Sequence, residues 1–119
     1  MRNRVYLFSA ALLLGTLLVG CSAATGTREI QVTASDYKFE PSVIPVKPGE
    51  RVKITVTNHG AVDHEFESEE AKIEELVIPA GKSRSVTITA PAKAGEYQFF
   101  CDVPGHQAMG MVGKIVVGQ

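Results

Sequence analysis

The sequence predicts an all-β domain, an antiparallel β-sandwich of about seven to eight short strands. Three observations carry this: apolar residues recur with a period of two, β-branched residues fill those stretches, and glycine or proline turns separate them. In chain order, Ile30, Val32 and Ala34 alternate with Gln31 and Thr33, and Val52, Ile54 and Val56 alternate with Lys53, Thr55 and Thr57. Side chains two apart share one face of a strand, so both stretches are half-buried strands. Val86 and Ile88 alternate with Ser85, Thr87 and Thr89, and residues 96–101 alternate through Tyr97 and Phe99. The run 114–117 closes the chain with another β-branched strand. Pro48-Gly49, Asn58-His59-Gly60, Pro79-Ala80-Gly81 and Ala94-Gly95 supply turns between them. A helical turn is expected only in the acidic segment 68–76.

The 119 residues suffice for one modest core. The first twenty read as an export signal, with Arg2 and Arg4 followed by an apolar run from Val5 to Gly20. That run contains Ser9, Gly15 and Thr16 and is shorter than the ~20 residues that cross a bilayer as a helix. Leu18-Val19-Gly20-Cys21 resembles a bacterial lipobox, which implies cleavage before Cys21 and lipidation of that cysteine. Two or more acyl chains make a stable anchor. The expected organisation is a lipoprotein signal peptide over 1–20, a lipidated flexible tether over 21–28, and one domain over 29–119. The expected location is a bacterial membrane, with the domain facing the periplasm or the cell exterior. If Cys21 carries lipid, Cys101 has no disulfide partner in an oxidising compartment, and a bound metal is one means of protecting it.

Twelve Lys and Arg against thirteen Asp and Glu become ten against thirteen once the signal is removed. A net negative chain is a poor ligand for nucleic acid, which is excluded as a partner. The acids concentrate at Glu65, Glu67, Glu69, Glu70, Glu74 and Glu75, with Lys72 the one base among them. Such a run is a solvated segment or a dock for a basic partner.

The chemistry lies in 99–111, FFCDVPGHQAMGM. With Tyr97 and Phe99 facing inward, Cys101 ends a core-facing row; Pro104-Gly105 then turns the chain to His106, and Met109 or Met111 follows before the last strand. Thiolate, imidazole and thioether together suit a soft to borderline metal ion. A His2Cys set with a weak, long axial Met is the arrangement of blue-copper electron-transfer sites. A second histidine must come from elsewhere. His59 sits at a turn tip between Asn58 and Gly60, where solvation is its simplest state; His64 lies between Val62 and Phe66 at the start of a strand and is the favoured ligand.

Residues 29–119 resemble a cupredoxin, a small plastocyanin- or azurin-like blue copper protein. The pattern is Asn58-x-Gly60-x3-His64-x-Phe66, then Tyr97-x-Phe99-Phe100-Cys101-x4-His106-x4-Met111-x-Gly113. The resemblance implies a Greek-key sandwich and one copper ion cycling between Cu(I) and Cu(II), with His64, Cys101 and His106 as in-plane ligands and Met111 axial. Many members carry Asn directly after the first histidine, where this chain has Glu65. Pro104, Gly105, Ala108 and Met109 are the expected apolar electron port around His106.

The function expected is that of a membrane-tethered one-electron carrier, a monomer working with protein redox partners such as a cytochrome or terminal oxidase. A copper delivery or storage module is the competing class. An adhesion-type sandwich leaves Cys101, His106 and Met111 as coincidence. Multicopper enzymes are excluded because only three histidines exist, and structural zinc has little use for a thioether.

Overall fold

The computed structural model describes residues 26–118; the expected signal peptide, Cys21 and most of the tether lie outside the described residues. Nine strands follow one another: β1 (Arg28–Ser35), β2 (Lys38–Glu40), β3 (Val43–Val46), β4 (Arg51–Asn58), β5 (His64–Ser68), β6 (Ile73–Ile78), β7 (Ser83–Thr89), β8 (Gly95–Phe100) and β9 (Val112–Val117). They form two layers, a four-stranded sheet in the order β2-β1-β4-β7 and a five-stranded sheet in the order β3-β9-β8-β5-β6. No helix occurs among the described residues.

The period-two pattern translates directly into burial. Val52, Ile54 and Val56 of β4 are wholly buried, while Arg51, Lys53, Thr55 and Thr57 face outward. Each such side chain contributes roughly 1.5–3 kcal/mol relative to exposure. Phe39, Phe66 and Phe99 meet in the core: Phe39 stands edge-on to both others with centroids 5.6 and 5.4 Å away, and Phe66 and Phe99 are tilted at 4.7 Å. These are the offset and T-shaped arrangements that the aromatic quadrupole favours. Phe99 lies directly on the Cα of Gly113, where any added Cβ would collide with the ring.

The expected all-β sandwich is present, and it differs from expectation in strand number and in strand direction. The sandwich has nine strands rather than seven to eight, and its sheets are mixed: β1 runs parallel to β4, with Val32 opposite Val56, and β3 runs parallel to β9, with Ile44 opposite Ile115. The cause lies in β2 and β3, of three and four residues. After the β1–β2 hairpin the chain crosses to the edge of the other sheet as β3, then returns beside β1 in the same direction as β4. Alternation reveals which face is buried but not strand direction, and Pro45 breaks up the β3 signal. At an edge position its missing N–H is tolerated.

Segment 68–76 is not helical. Ser68 ends β5, residues 69–72 turn with Lys72 at φ 57°, and Ile73 begins β6. The Ser68 hydroxyl donates to Gln98 O at 2.5 Å and accepts from Ala71 N–H, pinning the turn to β8. An isolated helix of this length is marginal in water, whereas β6 buries Ile73 and Ile78.

Sheet pairing determines where the chemistry lies. β5 is antiparallel to β8, and β8 to β9. The start of β5 at His64, the residue after β8 at Cys101 and the residue before β9 at Met111 therefore share one end of the sandwich. Tyr97 secures the strand leading there, its hydroxyl donating to Lys93 O at 2.7 Å.

Candidate metal centre

The loop from Cys101 to Met111 is closed by its own backbone. Cys101 N–H donates to Met111 O at 3.1 Å, and Met111 N–H donates to His106 O at 3.0 Å. His106 N–H bonds Val103 O, and Gly110 N–H bonds Gln107 O. Gly105 at φ 87° and Gly110 at φ 96° make the two bends that only glycine enters without strain. Cys101 and Met111 are wholly buried and His106 nearly so, whereas Met109 is 58% exposed.

His64 comes to the same point from the other strand pair. Asn58, buried at the end of β4, donates from Nδ2 to Val62 O at 2.8 Å and to Ile78 O at 2.9 Å, and its Oδ1 accepts from Gly60 N–H. This staples the loop that delivers His64 to the first position of β5. His64 is wholly buried, while His59 remains exposed at the turn.

Three donor atoms converge. Nδ1 of His64 is 3.3 Å from Nδ1 of His106, and the Cys101 sulfur is 4.0 and 3.4 Å from those nitrogens. A point equidistant from all three lies about 2.1 Å from each, within the range of bonds from imidazole nitrogen and thiolate to a first-row divalent ion. No other cluster of three or more His, Cys, Asp or Glu ligand atoms occurs among the described residues.

The electrostatics favour a cation. Burial pushes the Cys101 thiol up, against N–H groups of Glu65 and Val103 that favour thiolate; the Glu65 N–H lies 3.3 Å from the sulfur. Burial, then the neighbouring His64, pushes His106 down, so its imidazole stays neutral. The two imidazole nitrogens and the Cys101 sulfur face one another across this space. A metal ion fits such a set by displacing the thiol proton.

Asp36 and Tyr37 contribute here although the sequence pattern does not point to them. Asp36 Oδ1 accepts from His64 Nε2 at 2.9 Å, leaving a lone pair on His64 Nδ1. Ala61 N–H, and then His64, hold the Asp36 carboxyl below the usual carboxylate range. Tyr37 stands edge-on to the His106 ring at 4.8 Å.

The model of the cupredoxin-like domain matches residues 8–117. The chain belongs to this family. Among its relatives, the copper-resistant cuproprotein CopI of Rubrivivax gelatinosus is 34% identical over 80% of this chain and 69% of that protein. The chloroplastic plastocyanin of Hordeum vulgare is 31% identical over 92% of this chain and 73% of that protein. Auracyanin A, a "blue" copper protein of Chloroflexus aurantiacus, superposes with a TM-score of 0.65 at 26% identity, over 78% of this chain and all of that one. In this cupredoxin-like domain His64, Cys101, His106 and Met111 form the candidate copper site.

Proposed function

We propose that the chain is a mononuclear type 1 copper protein that carries single electrons between redox partners, held at a membrane by lipid on Cys21. The observation that carries the copper assignment is the convergence of His64 Nδ1, His106 Nδ1 and Cys101 Sγ beside the buried Met111. Bound there, copper supplies a one-electron couple between Cu(I) and Cu(II). The protein's part is to hold four side chains still. His64 and Cys101 adjoin paired strands, and Met111 is bonded through its backbone to both Cys101 and His106.

Electron transfer needs a route to the surface. His106 is 7% exposed, and Pro104, Gly105, Ala108 and Met109 around it in sequence are exposed. This small apolar rim suits brief docking of a cytochrome or terminal oxidase. The tether rests on Leu18-Val19-Gly20-Cys21, with the domain facing the periplasm or cell exterior as a monomer. Its direct measurement is mass spectrometry of the mature N-terminus, which should show lipidated Cys21.

A second reading, copper handling for resistance or delivery, is favoured by the likeness to CopI. Burial of the ligands argues for the carrier, because cargo must leave. Copper(II) added to the purified chain should produce an intense visible charge-transfer band that Cys101→Ser abolishes. The reduced protein should then exchange electrons with a small cytochrome much faster than it yields Cu(I) to a chelator. Rapid metal loss with slow exchange selects the delivery reading, and absence of the band removes both.

A further inference from the structure

His64 and His106 differ on the side away from the metal site. His64 is wholly buried, and its Nε2 meets the Asp36 carboxylate at 2.9 Å. His106 lies at the surface rim against Tyr37. Asp36 lies in the turn between β1 and β2 of the other sheet, yet it makes two contacts around the start of β5: Oδ1 to His64 and Oδ2 to Ala61 N–H at 3.0 Å. His59 N–H also donates to Ala34 O at 2.8 Å, so backbone holds the two segments together beside this carboxylate.

Gly60 leaves room for the contact. A Cβ at Gly60 would run into Asp36 Oδ1 and stand 2.7 Å from His64 Nε2. The backbone N–H of Gly60 is fixed by Asn58 Oδ1, so the strip of main chain under the carboxylate–imidazole pair has little freedom to move aside. Asp36, Gly60 and Asn58 together form a seat for one particular orientation and tautomer of His64.

We propose that Asp36 is a positioning residue of the metal centre: its carboxylate fixes His64 with the proton on Nε2 and strengthens Nδ1 as a donor, favouring the oxidised metal. This rests on the copper assignment above. A carboxylate behind a ligating histidine raises its basicity and fixes its ring, and losing such a partner typically costs 10–100-fold in metal affinity. The more electron-rich ligand benefits Cu(II) more than Cu(I).

The test uses the full chain, wild type and three variants. Asp36→Asn retains shape and removes charge. Gly60→Ala retains the Asp36 charge but pushes the carboxylate off the contact. Asp63→Asn removes a nearby loop carboxylate that bonds Ala80 N–H and does not touch a ligand. In Asp36→Asn the ratio of Cu(II) to Cu(I) affinity should fall about tenfold, read as a potential about 59 mV higher for a one-electron couple. Gly60→Ala should move it the same way, and Asp63→Asn by much less. Nitrogen-15 NMR of the metal-free wild type should show His64 protonated at Nε2, with that preference weakened in Asp36→Asn. Equal shifts in Asp36→Asn and Asp63→Asn would reduce the effect to general charge and overturn the proposal, as would an unaltered tautomer. If copper gives no visible band in wild type, the copper assignment fails, and the metal-free tautomer still decides whether Asp36 governs His64.

Discussion

Nδ1 of His64 and Nδ1 of His106 lie 3.3 Å apart, with the sulfur of Cys101 closing the triangle. Two imidazole nitrogens so close are poor neighbours as cations and good ones as ligands. The position of His64 follows from its strand: it opens β5, whose antiparallel partner β8 ends one residue before Cys101. His59, five residues earlier, points to solvent. Accordingly, His64→Ala should abolish or grossly alter the copper(II) charge-transfer band, while His59→Ala leaves its position and intensity unchanged. The reverse pattern in visible spectra of the two variants would move the second ligand to the turn.

Much of this was legible in the sequence, and the reasons are specific. Alternation in 52–57 identified the buried face of β4 because each strand there has one wet side. The spacing of Cys101, His106 and Met111 was legible because the three are held by one short loop, closed by its own backbone bonds. Asp36 was not, since it lies 28 residues from His64 and an acid after a strand reads simply as a turn residue. The parallel pairing of β1 with β4 was hidden in the same way, because strand direction depends on the path through β2 and β3 and leaves no mark on periodicity. Segment 68–76 misled because its acids and spaced apolar residues suit a short helix as well as a hairpin. The contact that decides, Ser68 to Gln98 O, is 30 residues away in sequence.

At the opposite end of β1, Arg28 donates to both carboxylate oxygens of Glu50, which also accepts from Lys47 N–H. Arg28, and then the Lys47 N–H, lower the Glu50 carboxyl to about 2 from an ordinary 4.5. Between those values the unfolded chain binds the proton that the folded chain refuses. The stabilisation is therefore complete above about pH 4.5 and is lost as the pH falls towards 2. Arg28 is nearly half exposed, so screening reduces the benefit to about 1 kcal/mol. Glu50→Gln should be less stable than wild type by that amount at pH 7 in denaturant titrations, with the gap closing as pH 2 is approached. Glu65 and Glu67, raised by burial and then by neighbouring acids, have the opposite sign, so the difference between the two proteins is the quantity to follow. A gap independent of pH would assign the loss to packing instead.

Which methionine would serve copper in the proposed site rests on how each is held. Met111 is wholly buried, its N–H bonded to His106 O and its O accepting from Cys101 N–H, so its backbone cannot shift without disturbing Cys101 and His106. Met109 is 58% exposed on the helical-looking turn after His106, where its N–H is shared between Gly105 O and His106 O. A ligand set that stays still through oxidation and reduction is better served by the first. Because an axial thioether bond is long and weak, its loss should tune the centre without dismantling it. Met111→Leu, similar in volume, should keep the visible band and raise the reduction potential, and Met111→Gln, with a harder oxygen donor, should lower it. Met111→Ala should in addition destabilise the fold by about 2–5 kcal/mol, as truncation of a buried methionine leaves a cavity. Met109→Leu should change neither potential nor stability, its side chain being already in water. Voltammetry of the four proteins decides the matter: a potential that moves only in the Met109 variant would transfer the axial role to the exposed side chain.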